Sequence, residues 1–481
     1  MYSPINSTEA FKASAVLSVC LLLLASFVIV VAPTAFDSDA KSDDYYFSGE
    51  LMEVLSDSDG VNENTKSTIW TTDGVRGYAI VGEYVFMSDK NGDLIKKEIK
   101  TGKEVKKVPT GVSSGNDYLA VGGGHILDPA SGNVYDLELN QEYSLGITSD
   151  QGYYENGYWY VVKGDKTCNC FSATDEDKSK PDNVQSIKWS EPFIFYIDGF
   201  TLTVSLAFND KYIFYPGIGE SDTALRILYC VDKSTGKQVD SIEMTDIKST
   251  FWNSGFIQCF NDKVIVTTHW DNMYGPVHEG PDYKVMYTVD VGSDGKFKAD
   301  TAKYLSNGFN DTYGSCLVVV DGLGYAQTGL RFEVFDMKTG SVIASTDKDS
   351  RLGKTYSNIA VAAGDDGYVR GYVSPAGVPN PLTPVDGLIC FEYNVKTKEI
   401  RTFDLKVGTA VADNTNSVKI GPNGEVVFAK NDGKLYCITS SHERSSGSDS
   451  TMTIVLVVVV IVLLIALVVF LARYKGRQQT P

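Results

Sequence analysis

The side chains best suited to bind a ligand are concentrated in one short segment of this 481-residue chain. Residues 269–283 read HWDNMYGPVHEGPDY and hold two of the four histidines. The candidate binding residues are His269, Trp270, Asp271, Tyr274, His278 and Glu279. Imidazole and carboxylate groups are metal ligands, but no helix fixes their spacing here. We therefore predict an aromatic-rich surface loop that contacts a glycan or a peptide, and no metal site.

A second acidic motif, Asp89-Lys-Asn-Gly-Asp93, resembles the opening of a calcium-binding EF-hand loop. Such a loop needs glycine at its sixth position and an acidic residue at its twelfth position. This chain lacks the glycine and has Lys100 where the acid should stand. The motif therefore predicts a hairpin turn.

Short strand-like runs separated by tight turns fill residues 75–440, with no amphipathic helix of useful length. One turn marker recurs as an acidic residue, two variable residues, Thr or Ser, and Gly. Its copies begin at Glu98, Asp128, Asp232 and Asp336, and degenerate copies begin at Asp290 and Asn394. The acidic side chain accepts a hydrogen bond from a backbone N–H two residues on, and the glycine supplies a positive φ. Each marker is expected to join two antiparallel strands.

The spacing of the markers predicts the architecture. Successive copies are 30, 104, 58, 46 and 58 residues apart, and the gap of 104 holds one further unit around residues 158–189. Periods of this size with about four strands each indicate a β-propeller. A pair of β-sandwiches is the alternative, but it does not explain a turn that returns in register. We predict an all-β propeller of eight four-stranded blades, or seven, because the unit around Asp128 is crowded.

The repeat resembles the PQQ-type repeat of quinoprotein-dehydrogenase-like propellers. In that family a strand similar to Leu-Tyr-Ala-Leu-Asp precedes Thr-Gly-Lys, and residues 228–232 (LYCVD) and 435–438 (LYCI) match it. The family's Trp after the turn is mostly missing, and only Trp189 stands near such a position. We therefore expect the blades to dock differently. PQQ-using members hold their cofactor with an adjacent Cys–Cys disulfide that this chain lacks, so we predict no cofactor.

The cysteines are expected to be structural. Cys168 and Cys170 would face one side of a strand near the upper Cα limit for a disulfide. Seven cysteines remain besides Cys20, an odd number, which excludes a complete internal set of disulfides. A bridge from Cys168 to a neighbouring blade stays open. The other cysteines are expected to be buried as small apolar groups: Cys230, Cys259, Cys316, Cys390 and Cys437.

Loop lengths predict that one face of the propeller is elaborated. Long insertions fall between the second and third strands, at 216–223, 269–283 and 373–386, and between blades, at 245–254 and 345–357. Turns between the first and second strands are short, as at Asn209, Asn261 and Asn423. Function usually resides on elaborated loops. Asn310-Asp-Thr312, a glycosylation candidate, lies in another connection between blades.

The last unit stops after Cys437 without an outer strand. Residues 45–54 (YYFSGELMEV) have the composition of a strand, and we predict that they supply it and close the ring.

Two apolar segments flank the propeller. Residues 454–472 contain no polar group and would form a helix about 28 Å long, close to a bilayer core of roughly 30 Å. Arg473, Lys475 and Arg477 follow, which predicts a cytoplasmic tail. The expected domains are a signal peptide or signal anchor (1–35), an extracytoplasmic propeller (36–439), a Ser-rich linker (440–451), a transmembrane helix (452–472) and a cytoplasmic tail (473–481).

Charge narrows the expected function. The chain has 61 acidic and 43 basic side chains and a net charge of −18, so with +3 in the tail the exterior carries −21. This argues against nucleic-acid binding. We predict a non-enzymatic binding or scaffolding protein of the plasma membrane. The chain would cross the membrane once, or twice if the N-terminal segment is not cleaved. An unknown protein or glycan would bind the outward loops. The alternative is an extracytoplasmic enzyme, quinoprotein-like or glycan-processing, that uses the central pocket.

Overall fold

In the computed structural model the chain forms eight four-stranded antiparallel β-sheets. The structure describes residues 66–440 with gaps, and all of them belong to one compact unit, Asp44–Pro481. The longer gaps are 113–118, 194–205, 219–224, 245–254, 269–285, 305–316, 353–358, 374–387 and 406–417. The shorter gaps are 150, 164–165, 181–182, 329–330, 350–351, 364–366, 423 and 430–432. The prediction of eight blades is confirmed.

Each blade contains four strands, which we call A to D from first to last. The first four blades are β2–β5 (Val75–Val81, Tyr84–Asp89, Asp93–Glu98, Glu104–Pro109), β6–β9 (Ala120–Gly122, His125–Asp128, Asn133–Asp136, Gln141–Ser144), β10–β13 (Gln151–Glu155, Tyr158–Val162, Thr167–Glu176, Gln185–Pro192) and β14–β17 (Ala207–Phe208, Tyr212–Ile218, Leu225–Asp232, Gln238–Glu243).

The second half of the ring repeats this plan. Blades 5 to 7 are β18–β21 (Gly255–Phe260, Lys263–Thr268, Met286–Val291, Phe297–Tyr304), β22–β25 (Val318–Val320, Leu323–Thr328, Arg331–Asp336, Ser341–Ser345) and β26–β29 (Ala360–Ala363, Tyr368–Val373, Leu388–Asn394, Ile400–Leu405). Blade 8 combines β30–β32 (Lys419–Ile420, Val426–Ala429, Lys434–Ser440) with β1 (Lys66–Asp73) as its strand D.

The hydrophobic core lies between the blades. The described residues form eight buried clusters, and each cluster joins two successive blades. One example joins Phe86 of β3 to Ile126 of β7, both with no exposed surface. Because both faces of each sheet are covered, strands such as β28 (LICFEYN) are buried along most of their length instead of alternating. Each blade therefore depends on two neighbours for its burial.

The ring is closed by an N-terminal strand, but the strand is not 45–54. β1 pairs antiparallel with β32, from Lys66 opposite Ser440 to Asp73 opposite Lys434. The prediction was correct about the kind of closure and wrong about the residues, and 45–54 lies outside the described residues. β1 passes through Gly74, whose φ is +73°, directly into blade 1. It also carries a tryptophan that residues 45–54 do not have.

That tryptophan shows how blades dock. The indole Nε1–H of Trp70 on β1 donates to Ile99 O, 2.8 Å away in the C–D turn of blade 1. Its ring covers Gly102, where a Cβ would lie 2.2 Å from the indole Cγ. Trp189 on β13 does the same to blade 4, with Nε1 2.8 Å from Lys233 O. The expectation that Trp189 stands alone in this role is wrong, because Trp70 makes the same contact. Trp70 was not expected, since it lies before the first turn marker in the sequence.

Other side-chain and backbone groups dock four more blade interfaces. The Tyr212 hydroxyl donates to Ser293 O at 3.1 Å, between blades 4 and 5, and the Lys303 ammonium donates to Thr339 O at 2.7 Å, between blades 5 and 6. The Lys106 ammonium donates to Asn140 Oδ1 at 2.7 Å, between blades 1 and 2. At the next interface the C–D hairpin of blade 3 crosses β9, where Ser144 N–H donates to Asn183 O at 2.9 Å. The expectation of a different docking layer is correct at these four interfaces.

One turn marker was assigned to the wrong position. Asp128–Gly132 joins β7 to β8 and is a B–C turn, not a C–D turn. The C–D turn of blade 2 begins at Asp136, whose Oδ1 accepts from the N–H groups of Glu138 and Asn140 at 2.8 and 2.7 Å. This turn has no Thr-Gly or Ser-Gly pair, so it does not match the marker. The strands of blade 2 are short, which explains the crowding.

We predict that Gly236→Ala destabilises the propeller far more than Gly82→Ala. Both glycines have positive φ, +71° and +55°, so both substitutions carry a backbone cost of about 1–2 kcal/mol. Only at Gly236 does the new Cβ collide with a ring, 2.5 Å from Trp189 Cε3, whereas Gly82 has open space. Overpacking adds about 1–3 kcal/mol. Denaturant unfolding measures the difference, and equal losses would contradict the docking role of Trp189.

Candidate functional site

The two faces of the propeller differ in the length of their connections. Since strands alternate in direction, A–B and C–D turns share one face, and B–C and D–A connections share the other. The A–B and C–D turns are tight except in blade 3. The longest connections, 269–285 and 374–387, are B–C, and those at 194–205, 245–254, 305–316, 346–359 and 406–418 are D–A. The predicted insertions fall in connections of the predicted kind, but the one at 216–223 is shorter than predicted, because residues 216–218 belong to β15 and only 219–224 joins it to β16.

The predicted binding residues lie outside the described part of the chain. His269, Trp270, Asp271, Tyr274, His278 and Glu279 fall between β19 and β20 as a B–C connection of blade 5. Asn310 falls between β21 and β22, a D–A connection. Their proposed roles remain predictions.

The strands that carry the 269–285 connection are firmly packed. Val264 and Val266 of β19 and Val289 of β20 have no exposed surface, and Tyr287 is buried beside them. A binding loop gains precision when its ends are fixed by packed strands. Whatever 269–285 contacts is therefore presented from a rigid base.

The C–D turns on the opposite face have the predicted local geometry. Asp232 Oδ1 accepts from the N–H groups of Ser234 and Thr235, both at 3.0 Å, and Gly236 has φ of +71°. Asn394 serves in the same way in blade 7, where its Oδ1 accepts from the N–H groups of Lys396 and Thr397 at 2.9 Å. Partial burial raises the pKa of Asp232, but the hydrogen bonds from Ser234 and Thr235 outweigh it and hold this pKa below its usual value.

The EF-hand-like segment forms a hairpin turn, as predicted. Asp89 Oδ1 accepts from the N–H groups of Asn91 and Asp93, both at 2.9 Å. The ammonium of Lys107 lies 2.5 Å from Asp93 Oδ2 and 3.6 Å from Asp89 Oδ2. Burial raises the pKa of Asp89, but its hydrogen bonds and Lys107 lower it to a greater extent. The carboxylates are thus satisfied by the protein itself.

A histidine that the sequence analysis did not single out lies between blades 2 and 3. His125 Nδ1 is 2.6 Å from Glu142 Oε2, and its ring centroid is 5.8 Å from those of Tyr143 and Tyr154. Glycines in the preceding turn make room, since a Cβ on Gly123 would lie 2.3 Å from Tyr154. The run Gly122-Gly-Gly-His125 is the sequence signal for this packing.

A buried ion network crosses blade 7. Arg370 Nε lies 2.7 Å from Glu392 Oε2, and Arg401 Nη2 lies 2.6 Å from Glu392 Oε1. Arg370 and Glu392 are each 3% exposed. Strands B, C and D each contribute one residue, so the network ties the three outer strands together. Removal of one partner from a buried pair usually costs about 3–5 kcal/mol.

The described cysteines are free thiols, and most are buried. Cys168 and Cys170 pack with Tyr160 and Trp189 between blades 3 and 4, so no bridge from Cys168 to a neighbouring blade is formed. Burial raises the pKa of Cys170 to about 12 and also raises that of Cys168. The expected burial of Cys230, Cys390 and Cys437 is confirmed, whereas Cys259 is only half buried and Cys316 lies outside the described residues.

Neither a metal site nor a membrane-spanning helix is found among the described residues. No group of three or more His, Cys, Asp or Glu side chains among them could hold a metal ion. No helix long and apolar enough to cross a membrane occurs within the part of the chain that the structure describes. The predicted signal segment (1–35) and the predicted transmembrane helix (452–472) lie outside that part.

Comparisons with known proteins identify no family. No family model and no curated protein matches the chain. The computationally designed Ika8 protein is similar at 12% identity, with 76% of this chain and 96% of that chain covered and a TM-score of 0.44. BamB from Moraxella catarrhalis is similar at 10% identity, with coverages of 83% and 97% and a TM-score of 0.37. Both likenesses are remote, so the class, an eight-bladed β-propeller, rests on the strand topology.

We predict that Asp232→Asn preserves the C–D turn but weakens its response to acid. Asn394 shows that an amide oxygen accepts the same two N–H groups. Because the folded pKa of Asp232 is depressed, its stabilisation is present above the unfolded pKa near 3.8 and lost as pH falls through the folded value. Unfolding free energies at pH 7 and pH 3 measure this. An equal drop between the two pH values in both proteins would refute it.

Alkylation should distinguish the thiols. In the native protein at pH 8, we expect N-ethylmaleimide to modify Cys259 before Cys168, Cys170 and Cys230, because reactivity requires an accessible thiolate. Mass spectrometry of the peptides reads the order, and unfolding in guanidinium should make all of them react. Rapid native labelling of Cys170 would contradict its burial.

Proposed function

We propose that the chain is a membrane-anchored propeller that binds or scaffolds at the cell surface, with its long B–C and D–A connections directed outward. The proposal assigns recognition to the 269–285 connection and the surrounding loops. It assigns attachment to the apolar segment 454–472.

The pairing of Lys66 with Ser440 carries the proposal. Ser440 ends a strand C, and Lys66 begins a strand D, so both chain ends leave the ring on the A–B and C–D face. The Ser-rich linker and the apolar segment follow Ser440 within about a dozen residues. A linker of that length keeps the near face close to the membrane and leaves the long connections on the far side.

The arrangement of the described side chains supports binding over catalysis. The turns on the near face satisfy their own polar groups, as at Asp136 and Asp232, and the Arg370–Glu392 pair is buried within its blade. The proposal takes its aromatic and charged recognition residues from 269–283. A glycan or an exposed peptide of another surface protein suits such a loop.

Epitope tags test the orientation. We would insert the same tag into 269–285, into the A–B turn at Asp321-Gly322, and after Pro481, in three versions of the full chain. The Asp321-Gly322 turn is a matched control because a Cβ on Gly322 meets open space. We expect antibody on intact cells to bind the first tag best and the second tag less. The third tag should be bound only after permeabilisation.

Two outcomes would contradict the proposal. A C-terminal tag accessible on intact cells would refute the membrane topology. A turn tag that is bound better than the loop tag would refute the outward direction of the long connections.

Replacement of residues 269–285 by an Asn-Gly turn tests the recognition role. The detergent-solubilised full chain and this variant would be compared on an array of surface glycans and purified extracellular domains. We expect the variant to lose the ligand that the parent binds and to keep its thermal unfolding midpoint, because β19 and β20 remain packed. Undiminished binding would assign recognition elsewhere.

A further inference from the structure

One edge of blade 1 is basic although the chain is strongly acidic. Residues 96–107, KKEIKTGKEVKK, hold six lysines and two glutamates. Lys96 pairs with Glu138 and Lys107 with Asp93. Lys100 and Lys103, in and beside the C–D turn, are exposed and form no ion pair with any residue that the structure describes. Val105 of β5, 44% exposed, lies two residues further on.

The segment that precedes β1 has the opposite character. Residues 44–65 contain no Lys or Arg and carry a charge of −6, from Asp44, Glu50, Glu53, Asp57, Asp59 and Glu63. The segment also contains the aromatic run Tyr45-Tyr-Phe47. Residues 45–54 of this segment were predicted to be strand D of blade 8, but β1 occupies that position.

The chain delivers this segment to the basic edge. β1 begins at Lys66 on the A–B and C–D face, where Lys100 and Lys103 also lie. Trp70 of β1 already contacts the turn, donating to Ile99 O at 2.8 Å. Glu53 lies thirteen residues before Lys66, a reach of up to about 45 Å. Both charge and connection therefore direct the acidic segment to this edge.

We propose that residues 44–63 dock on the edge of blade 1 formed by Lys100, Lys103 and Val105. Acidic side chains would pair with the two lysines, and the aromatic run would cover Val105. This inference is independent of the proposed function. Single exposed ion pairs are weak, but a tethered segment acts at an effective concentration in the millimolar range.

Cleavage by a glutamate-specific protease tests the docking in the full chain. Docked, the segment should be cut slowly at Glu50, Glu53 and Glu63. Each exposed ion pair should raise the equilibrium constant for docking by a factor of about 1.4–5. The double variant Lys100→Gln with Lys103→Gln should therefore be cleaved about 2- to 25-fold faster than the parent. The matched control is Lys338→Gln with Lys396→Gln, since both lysines are exposed and both stand two residues after the first residue of a C–D marker. The control should cleave at the parent rate.

Salt and cross-linking give further readouts. At 1 M salt the Debye length is about 3 Å, so the exposed ion pairs are screened. The parent should then be cleaved at the same rate as the Lys100→Gln, Lys103→Gln variant. A carbodiimide should join carboxylates of 44–63 to Lys100 or Lys103 within one chain. Equal cleavage of the two double variants would overturn the proposal, as would equal cross-linking to Lys338 and Lys396. Cross-links between chains of mixed isotope labels would show that a second copy occupies the edge, and would also overturn it.

Discussion

The contact between one blade and the C–D turn of the next, which the described residues make at six interfaces, is the constraint on which the ring depends. A blade buries both faces, so it is stable only between two neighbours, and a ring of such blades needs one seam that the chain closes without a covalent bond. At that seam Trp70 covers Gly102 and donates to Ile99 O. Closure thus combines apolar burial with satisfaction of a backbone carbonyl that the turn leaves open.

Different side chains meet the same requirement elsewhere in the ring. Trp189 on β13 donates to a carbonyl in the C–D turn of blade 4. The Tyr212 hydroxyl makes the corresponding contact with the C–D turn of blade 5, and the Lys303 ammonium makes it with the C–D turn of blade 6. What these groups share is a donor that reaches a backbone carbonyl of the next C–D turn, and the rings of Trp70, Trp189 and Tyr212 also cover the glycine of that turn. The geometry of the docking contact is thus kept while the residue type varies, and for this reason a search for tryptophan alone underestimates the layer.

Because the strands of each blade alternate in direction, the two faces of the propeller carry different connections. The A–B and C–D turns are short except in blade 3, and Asp and Asn side chains in them, such as Asp232 and Asn394, accept hydrogen bonds from the turn's own backbone. Connections B–C and D–A lie on the other face, where length costs little free energy. Lys66 and Ser440, where the chain enters and leaves the ring, both lie on the short-turn face, opposite the long connections. The basic edge of blade 1 lies close to the ends, where the acidic N-terminal segment leaves the ring.

Much of the fold could be predicted from the sequence because it is locally encoded. The marker at Asp232, Asp336 and Asn394 depends on hydrogen bonds within five residues, so its spacing predicted the blades and the long connections. Tertiary structure alone decided which strand closes the ring, since 45–54 and 66–73 are both strand-like and only the second places an indole over Gly102. It also decided that Asp128 belongs to a B–C turn, because strand order depends on pairing and not on turn chemistry. Pairings such as His125 with Glu142 depend on how adjacent strands and blades pack, which no local pattern records.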